Sequence, residues 1–191
     1  MEELIEYLKN KFQISNELEM AIRGNCKEKK VSKGVVVLAE ESTVENHFFI
    51  VKGCFRSYCT DNNGNEKNIQ FAIDNQWISD YTALYDNLKS NLSIESLCPT
   101  IYIEVSSSAL KKLYEVDSTV EKIRLSNIEE SVNIFNNRVL AQLKFDAKER
   151  YNIFLKEHPF IENYVPNYHI ASYLGITPES LSRIRLGRVK K

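Results

Sequence analysis

The chain has no two cysteines close enough to chelate a metal together: Cys26, Cys54, Cys59 and Cys98 are separated by gaps of 28, 5 and 39 positions, with no C-x-x-C pair. That spacing excludes a ready zinc-ribbon or iron–sulfur ligand set. Four cysteines in 191 residues are also too sparse for a disulfide framework, so they read as buried or strand cysteines in a reducing compartment. Glycine and proline are scarce, at six and four, which excludes collagenous or low-complexity architecture. Long apolar runs are missing as well. The longest, Val35 to Ala39, is five residues, far below the roughly 18 to 20 needed to cross a bilayer. The acidic start, Met1-Glu2-Glu3, lacks the basic region of a secretory signal, so the expectation is a cytoplasmic protein without a membrane partner. Only three histidines are present. His47 falls among predicted strands, His158 and His169 in a helical region, and no nucleophile–base pair can be nominated. We therefore expect no enzyme, no metal and no cofactor.

What is present is the composition of a globular protein, 43% apolar and 27% charged, long enough for one large or two small domains. The net charge of −1 hides an asymmetry: Thr177 to Lys191 holds five cations (Arg183, Arg185, Arg188, Lys190, Lys191) against the single anion Glu179. A local basic patch is the electrostatic footprint of phosphate binding, although a solvated basic tail has the same composition.

Hydrophobic periodicity divides the chain in three. Leu4, Ile5, Leu8 and Phe12, then Leu18, Ala21 and Ile22 after a Ser15 cap, predict one or two helices within the first 26 residues. From Val31 to Val105 the pattern becomes that of short strands, such as 35–38, 47–51 and 100–105. Turns at Lys33-Gly34, Lys52-Gly53 and Asp61 to Asn65 separate them, with Asn63-Gly64 supplying the positive-φ positions of a tight hairpin. Such spacing suggests a small sandwich, jelly roll or barrel. Helical periodicity then returns and persists. Leu125, Ile128, Val132, Phe135 and Val139 step by 3, 4, 3 and 4, a heptad-like seam that faces either a second copy of itself or the chain's own β domain. Asp146 with Glu149 predicts a capped helix that His158-Pro159 closes, placing a boundary near Phe145.

Asn167 to Leu186 is the most informative stretch. Apolar residues fall at Ile170, Leu174, Ile176, Leu181 and Ile184, a small residue at Ala171 and a glycine at Gly175. Two helices crossing steeply need the small residue where they touch and the glycine in the turn between them. Thr177-Pro178-Glu179 reads as an N-cap, a first-turn proline and a dipole-compatible acid. This is the helix-turn-helix pattern, whose second helix enters the major groove. Its exposed face presents Thr177, Glu179, Ser180, Ser182 and Arg183 to bases, while Arg185, Arg188 and Lys190 suit phosphates. His169 is expected as an exposed residue of the first motif helix.

Across nearly all its length the chain resembles the Crp/Fnr family of bacterial transcription regulators. The resemblance rests on Lys33-Gly34 and Glu40-Glu41 ahead of the stretch from Phe48 to Arg56, on Asn63-Gly64, on Asn75 to Ile78, on Glu149-Arg150-Tyr151 and above all on Ile170 to Arg185. It implies an α+β fold: an N-terminal β-roll, jelly-roll-like and cyclic-nucleotide-binding-like, with flanking helices (1–116), a long dimerisation helix (117–145) and an all-helical helix-turn-helix domain (146–191) without a clear wing. It implies a homodimer on a palindromic double-stranded DNA operator, with Glu179 and Arg183 on base edges, RNA polymerase as a further partner and an unknown small molecule as effector. Two departures stand out. Where cyclic-nucleotide binders of the family carry Gly-Glu and Arg-Ser pairs, this sequence has Ser79-Asp80 and Ser90-Asn91. Lys89 is a point-charge substitute that cannot reproduce the arginine fork, so cyclic AMP is not the expected ligand. Too few residues follow Arg185 for an appended hairpin. The alternative function is a ligand-binding sensor whose helical C-terminal domain docks on a protein partner.

Overall fold

The computed structural model describes the backbone of residues 1–189 and the side chains of 1–187. Two short helices, α1 (Glu2–Lys11) and α2 (Asn16–Asn25), lead into eight strands: β1 (Lys27–Val31), β2 (Val36–Leu38), β3 (Asn46–Lys52), β4 (Phe55–Thr60), β5 (Glu66–Ala72), β6 (Trp77–Ile78), β7 (Ser93–Ser96) and β8 (Thr100–Ser106), with α3 (Tyr81–Asp86) between β6 and β7. They form two antiparallel sheets in the orders β1-β8-β3-β6 and β2-β7-β4-β5. Helices α4 (Ser107–Val116), α5 (Thr119–Lys144), α6 (Ala147–Glu157), α7 (Asn167–Leu174) and α8 (Pro178–Val189) follow, with a 3-10 turn at Ile161–Asn163. This is the expected α+β architecture, a β-roll followed by a long helix and a helical C-terminal part.

Local chemistry sets the element ends. The Ser15 hydroxyl accepts from the Leu18 amide, and Asp146 with Glu149 closes a reciprocal capping box at the start of α6, each satisfying amides that a helix leaves unpaired. At Gly53 (φ 121°) a Cβ would sit 2.5 Å from Thr100 Oγ1 and 2.9 Å from its Cα, so only glycine allows the β3–β4 turn to approach β8. One turn departs from expectation. Residues 61–65 form a five-residue loop in which Gly64 alone has positive φ, at 81°. The Asp61 carboxylate accepts the amides of Asn63 and Asn65, both at 2.9 Å. An Asx-type turn replaces the two-residue hairpin because the aspartate side chain supplies the acceptor.

Three apolar clusters follow from this layout. One lies inside the roll around Phe48, Ile50, Phe55 and Ile94. A second packs α1, α2 and α4 with the first turns of α5 against Phe49 and Ile103. The third crosses from the β-roll to the C-terminal helices, joining Cys54, Phe71 and Leu97 to Tyr151, Phe154, Ile170 and Leu181.

A polar node reinforces that crossing. Arg56, on β4 and 3% exposed, donates from Nε and Nη2 to Glu95 at 2.9 and 2.5 Å. Nη2 also donates to Glu66 at 2.5 Å. Its Nη1 donates to Asn68 Oδ1 at 2.9 Å and to His169 Nδ1 at 3.1 Å. Asn68 in turn donates to the His169 carbonyl at 2.9 Å, and its amide donates to Ser172 Oγ at 3.1 Å. His169 is therefore buried, at 5% exposure, and not the exposed residue expected from sequence. Burial, with the positive charges of Arg56 and Lys33, pushes its pKa down to about 4. The imidazole is held neutral with Nδ1 as acceptor. Arg138 of α5 adds a second tie, donating to the carbonyls of Ile69 at 2.6 Å and Tyr173 at 2.9 Å.

Removing one member of a buried charge cluster leaves the others uncompensated. Arg56→Met is expected to lower unfolding free energy in urea titrations by about 3 to 5 kcal/mol. Glu66→Gln, at a half-exposed carboxylate, is expected to cost about 0 to 1 kcal/mol. Equal losses in the two variants would contradict this account of the node.

Candidate functional site

Helix α7 ends at Gly175, whose φ of 67° is left-handed. The Ile176 amide reaches back to the Ala171 carbonyl at 3.0 Å and the Gly175 amide to Ser172 at 3.2 Å, the paired bonds of a Schellman termination. A side chain at 175 would meet Gln142 of α5 at 3.3 Å, so the turn is fixed by both backbone conformation and packing. Ala171, fully buried, is the small residue at the α7–α8 contact. Beyond the turn, Thr177 Oγ1 accepts from the Ser180 amide at 3.2 Å and starts α8, whose Leu181 is fully buried against α6 and α7.

That anchoring leaves the opposite face of α8 to solvent. Thr177, Glu179, Ser182 and Arg183 are exposed and Ser180 is half-buried. Arg183 makes one long contact, Nη2 to Ser180 Oγ at 3.3 Å. The Glu179 carboxyl lies below its ordinary pKa, held by its own backbone amide and by Thr177, with the Arg183 charge assisting. Ser182 donates to the Pro178 carbonyl at 2.9 Å. Arg185 differs from its neighbours: it pairs with Glu162 at 2.9 Å and hydrogen-bonds Asn167, tying α8 to the 3-10 turn and the start of α7. The side chain of Arg188, and all of Lys190, lie outside the described residues.

On α5 the predicted seam is largely uncovered. Leu125, Val132, Phe135 and Val139 are 44%, 50%, 56% and 41% exposed, and Ile128 is half-buried. The exposed series runs on through Leu140 and Leu143 to Phe145, where α5 ends in an extended residue. The buried residues of the helix are others, Val120, Ile123 and Asn127, the first two in the cluster with α1, α2 and α4.

Between the β-roll and α5 lies a cavity of about 300 Å³ bounded by Ser57, Gln70, Ser79 and Asp80 on one side and by Ile128, Val132 and Phe135 on the other. Two of the five predicted effector residues, Ser79 and Asp80, line it. Lys89 is exposed and bridges Thr43. Ser90 and Asn91 sit behind Asp80, and none of these three lines the cavity. The Asp80 carboxylate is fully engaged. Oδ1 caps α3 through the Ala83 amide at 3.0 Å, and Oδ2 lies 3.1 Å from both the Ser90 hydroxyl and the Asn91 amide. The Ala83 amide, the Ser90 hydroxyl and the Asn91 amide are thus already taken by an internal carboxylate. Sequence reasoning missed Ser57 and Gln70 as lining residues, because their roles follow from a sheet face meeting a helix far away in the chain.

No group of three or more His, Cys, Asp or Glu residues is arranged to hold a metal among the described residues. No helix among them is long and apolar enough to cross a membrane.

Comparison with known proteins agrees with this geometry. Residues 28–117 match the cyclic nucleotide-binding domain family. FixK2 from Bradyrhizobium japonicum superposes with a TM-score of 0.74 at 21% identity, over 86% of this chain and 84% of that one. A Crp/Fnr-family transcriptional regulator from Eubacterium rectale gives 0.69 at 17% identity, over 97% and 88%. The c-di-GMP-responsive regulator CLP from Xanthomonas campestris gives 0.69 at 9%, over 92% of each chain. No curated protein matches by sequence. Residues 28–117 thus match the cyclic nucleotide-binding domain family, within a chain that shares the fold of solved Crp/Fnr-type regulator structures.

Proposed function

We propose that the chain is a dimeric, sequence-specific DNA-binding transcription regulator. Its effector part is 1–116, its dimerisation helix 117–145 and its DNA-binding part 146–191. The observation that carries the proposal is the pairing of a rigidly held α7–α8 turn with an α8 face whose polar side chains are exposed and, at Arg183, free of any ion pair among the described residues. In this reading α8 enters the major groove, with Arg183 bidentate to a guanine and Glu179 accepting from a cytosine amine. Thr177, Ser180 and Ser182 border the same surface, and Arg188 and Lys190 meet phosphates. Arg185 acts from within, through Glu162 and Asn167, to set the angle of α8. RNA polymerase is the further partner this role implies, and the cytoplasm is where it operates.

Arg183→Ala is expected to cost about 1 to 3 kcal/mol on the preferred operator and to relax one base pair in each half-site. Arg188→Ala is expected to weaken all sequences alike and to flatten the salt dependence by about one unit of logarithmic slope. Quantitative binding on operator and mutated operators at several salt concentrations separates the two. An Arg183→Ala protein with unchanged affinity and consensus would favour the alternative, a sensor whose helical part docks on a protein.

The exposed seam at Leu125, Ile128, Val132, Phe135 and Val139 supports a two-fold partner. An apolar stripe on a 26-residue helix is unfavourable in water, and closed two-fold pairing is the commonest way to cover one. Light scattering is expected to report twice 22.2 kDa, and the Val132→Glu, Phe135→Glu double variant a monomer. A wild-type monomer at micromolar concentration would refute the interface.

The effector cavity beside Ser79 and Asp80 is expected to refuse cyclic AMP. A phosphate there would face the Asp80 carboxylate and lack an arginine partner, and Lys89 stands outside the lining. Calorimetry is expected to show no saturable heat. Saturable micromolar binding near one per chain would contradict the reading and leave a small-molecule effector of that class in place.

A further inference from the structure

A second cavity system lies elsewhere in the molecule and shares no lining residue with the one beside Asp80. Its outer part, about 340 Å³, opens between α3, α4 and the start of α5. Its inner part, about 50 Å³, reaches among α1, α2 and α4 toward Trp77 and Asn127. The two are both bordered by His47, Tyr85, Leu110 and Arg124, so they meet at His47. That imidazole is 5% exposed and ringed by Tyr81, Tyr85 and Trp77, with centroids at 5.6, 5.8 and 6.5 Å.

Five buried polar atoms around this point have no hydrogen-bond partner among the described residues: His47 Nε2, Trp77 Nε1, Asn127 Oδ1 and the hydroxyls of Tyr81 and Tyr85. Buried polar atoms are ordinarily paired, and each one left alone costs about 1 to 3 kcal/mol. His47, Trp77, Tyr85 and Asn127 all border the inner chamber, which makes it a polar centre within apolar walls. Its chemistry is specific. Indole N–H only donates, the amide oxygen only accepts, and a neutral imidazole nitrogen does either. Burial and the Arg124 charge push the His47 pKa down to about 4, which leaves the ring uncharged. Arg124 itself is paired with Glu121 at 2.9 and 2.5 Å and lies over the Tyr85 ring at 5.0 Å, so the inner chamber has no spare cation for an anion, and Lys111 borders the outer part alone.

We propose that this cleft is a second ligand site, for a small uncharged aromatic molecule carrying one substituent that both donates and accepts, such as a carboxamide or a hydroxyl. The outer volume sits at the lower end of ligand pockets, roughly 300 to 1,000 Å³, and suits a single ring. The aromatic walls favour a planar one, and the inner chamber takes the substituent at His47. Because Asn127 lies on α5, next to Ile128 of the other cavity's lining, occupancy would tie β3 to the long helix.

Trp77 is the only tryptophan and reports on the chamber directly. Benzamide and phenol are the probes, with benzoate and cyclohexanecarboxamide as controls for charge and planarity. The expected result is a saturable change in Trp77 emission with benzamide or phenol and a calorimetric stoichiometry near one per chain. Each control should bind about tenfold or more weakly. His47→Phe keeps the ring shape and removes Nε2, and is expected to weaken binding about tenfold. Leu110→Phe narrows the junction of the two chambers and is expected to abolish binding, which decides the matter if His47→Phe does not fold. The proposal is overturned if folded wild-type protein shows no saturable binding of either probe at millimolar concentration. It is equally overturned if binding survives both variants, which would place the probe elsewhere.

Discussion

A guanidinium buried on a β-strand must be neutralised where it stands, and the arrangement of this molecule turns on how Arg56 meets that demand. Its compensating groups come from three places: Glu95 on the neighbouring strand β7, Glu66 and Asn68 on β5, and His169 on the first helix of the C-terminal motif. The first three fix the charge within the β-roll. The fourth extends the cluster across the boundary between the β-roll and the helical part, so the position of α7 is set by electrostatics as well as by the apolar contacts of Phe71 with Phe154 and Tyr173. Burying such a cluster gains little free energy, but breaking it is expensive. From α7 the constraint passes through the left-handed Gly175 to α8. The exposed face of α8 is thereby held at a defined orientation to the β-roll.

The long helix α5 divides its surface between different demands. Val120, Ile123 and Asn127 pack inward, Arg138 and Gln142 hold the α7 end through the carbonyls of Tyr173 and Leu174, and the Val132 and Phe135 side chains stand largely in solvent while bordering the cavity beside Asp80. A partner helix laid on that stripe would therefore also form part of the cavity wall. Ligand occupancy and pairing of two chains would then act on the same residues, which is the physical requirement for linking a binding event to a change in quaternary geometry.

Much of this was legible in sequence because it obeys local rules. Caps at Ser15, Asp146 and Thr177, the positive-φ requirement at Gly175 and the small residue at Ala171 are each decided within a few positions along the chain. The roll's strands announced themselves through β-branched and aromatic runs. What escaped depends on distant partners. His169 sits on a polar face of α7 and reads as exposed until β4 and β5 cover it with Arg56 and Asn68. Asp61 turned an apparent Asn-Gly hairpin into a longer loop by supplying its own acceptor. Asp80, standing where the family's cyclic-nucleotide binders carry the acid of a Gly-Glu pair, has both oxygens taken by Ala83, Ser90 and Asn91. The unpaired atoms around His47 had no sequence signal, since they are brought together from β3, β6, α3 and α5.

The central claim is that two copies of α8, fixed relative to the β-roll and related by a two-fold axis along α5, read one stretch of duplex DNA. Selection of bound duplexes from a random pool by the full-length protein tests it most directly. The account predicts an inverted repeat whose half-sites lie about one helical turn, roughly 34 Å, apart, with a guanine or cytosine fixed in each half. Enrichment of a single unrepeated motif, or of no motif at all, would contradict it.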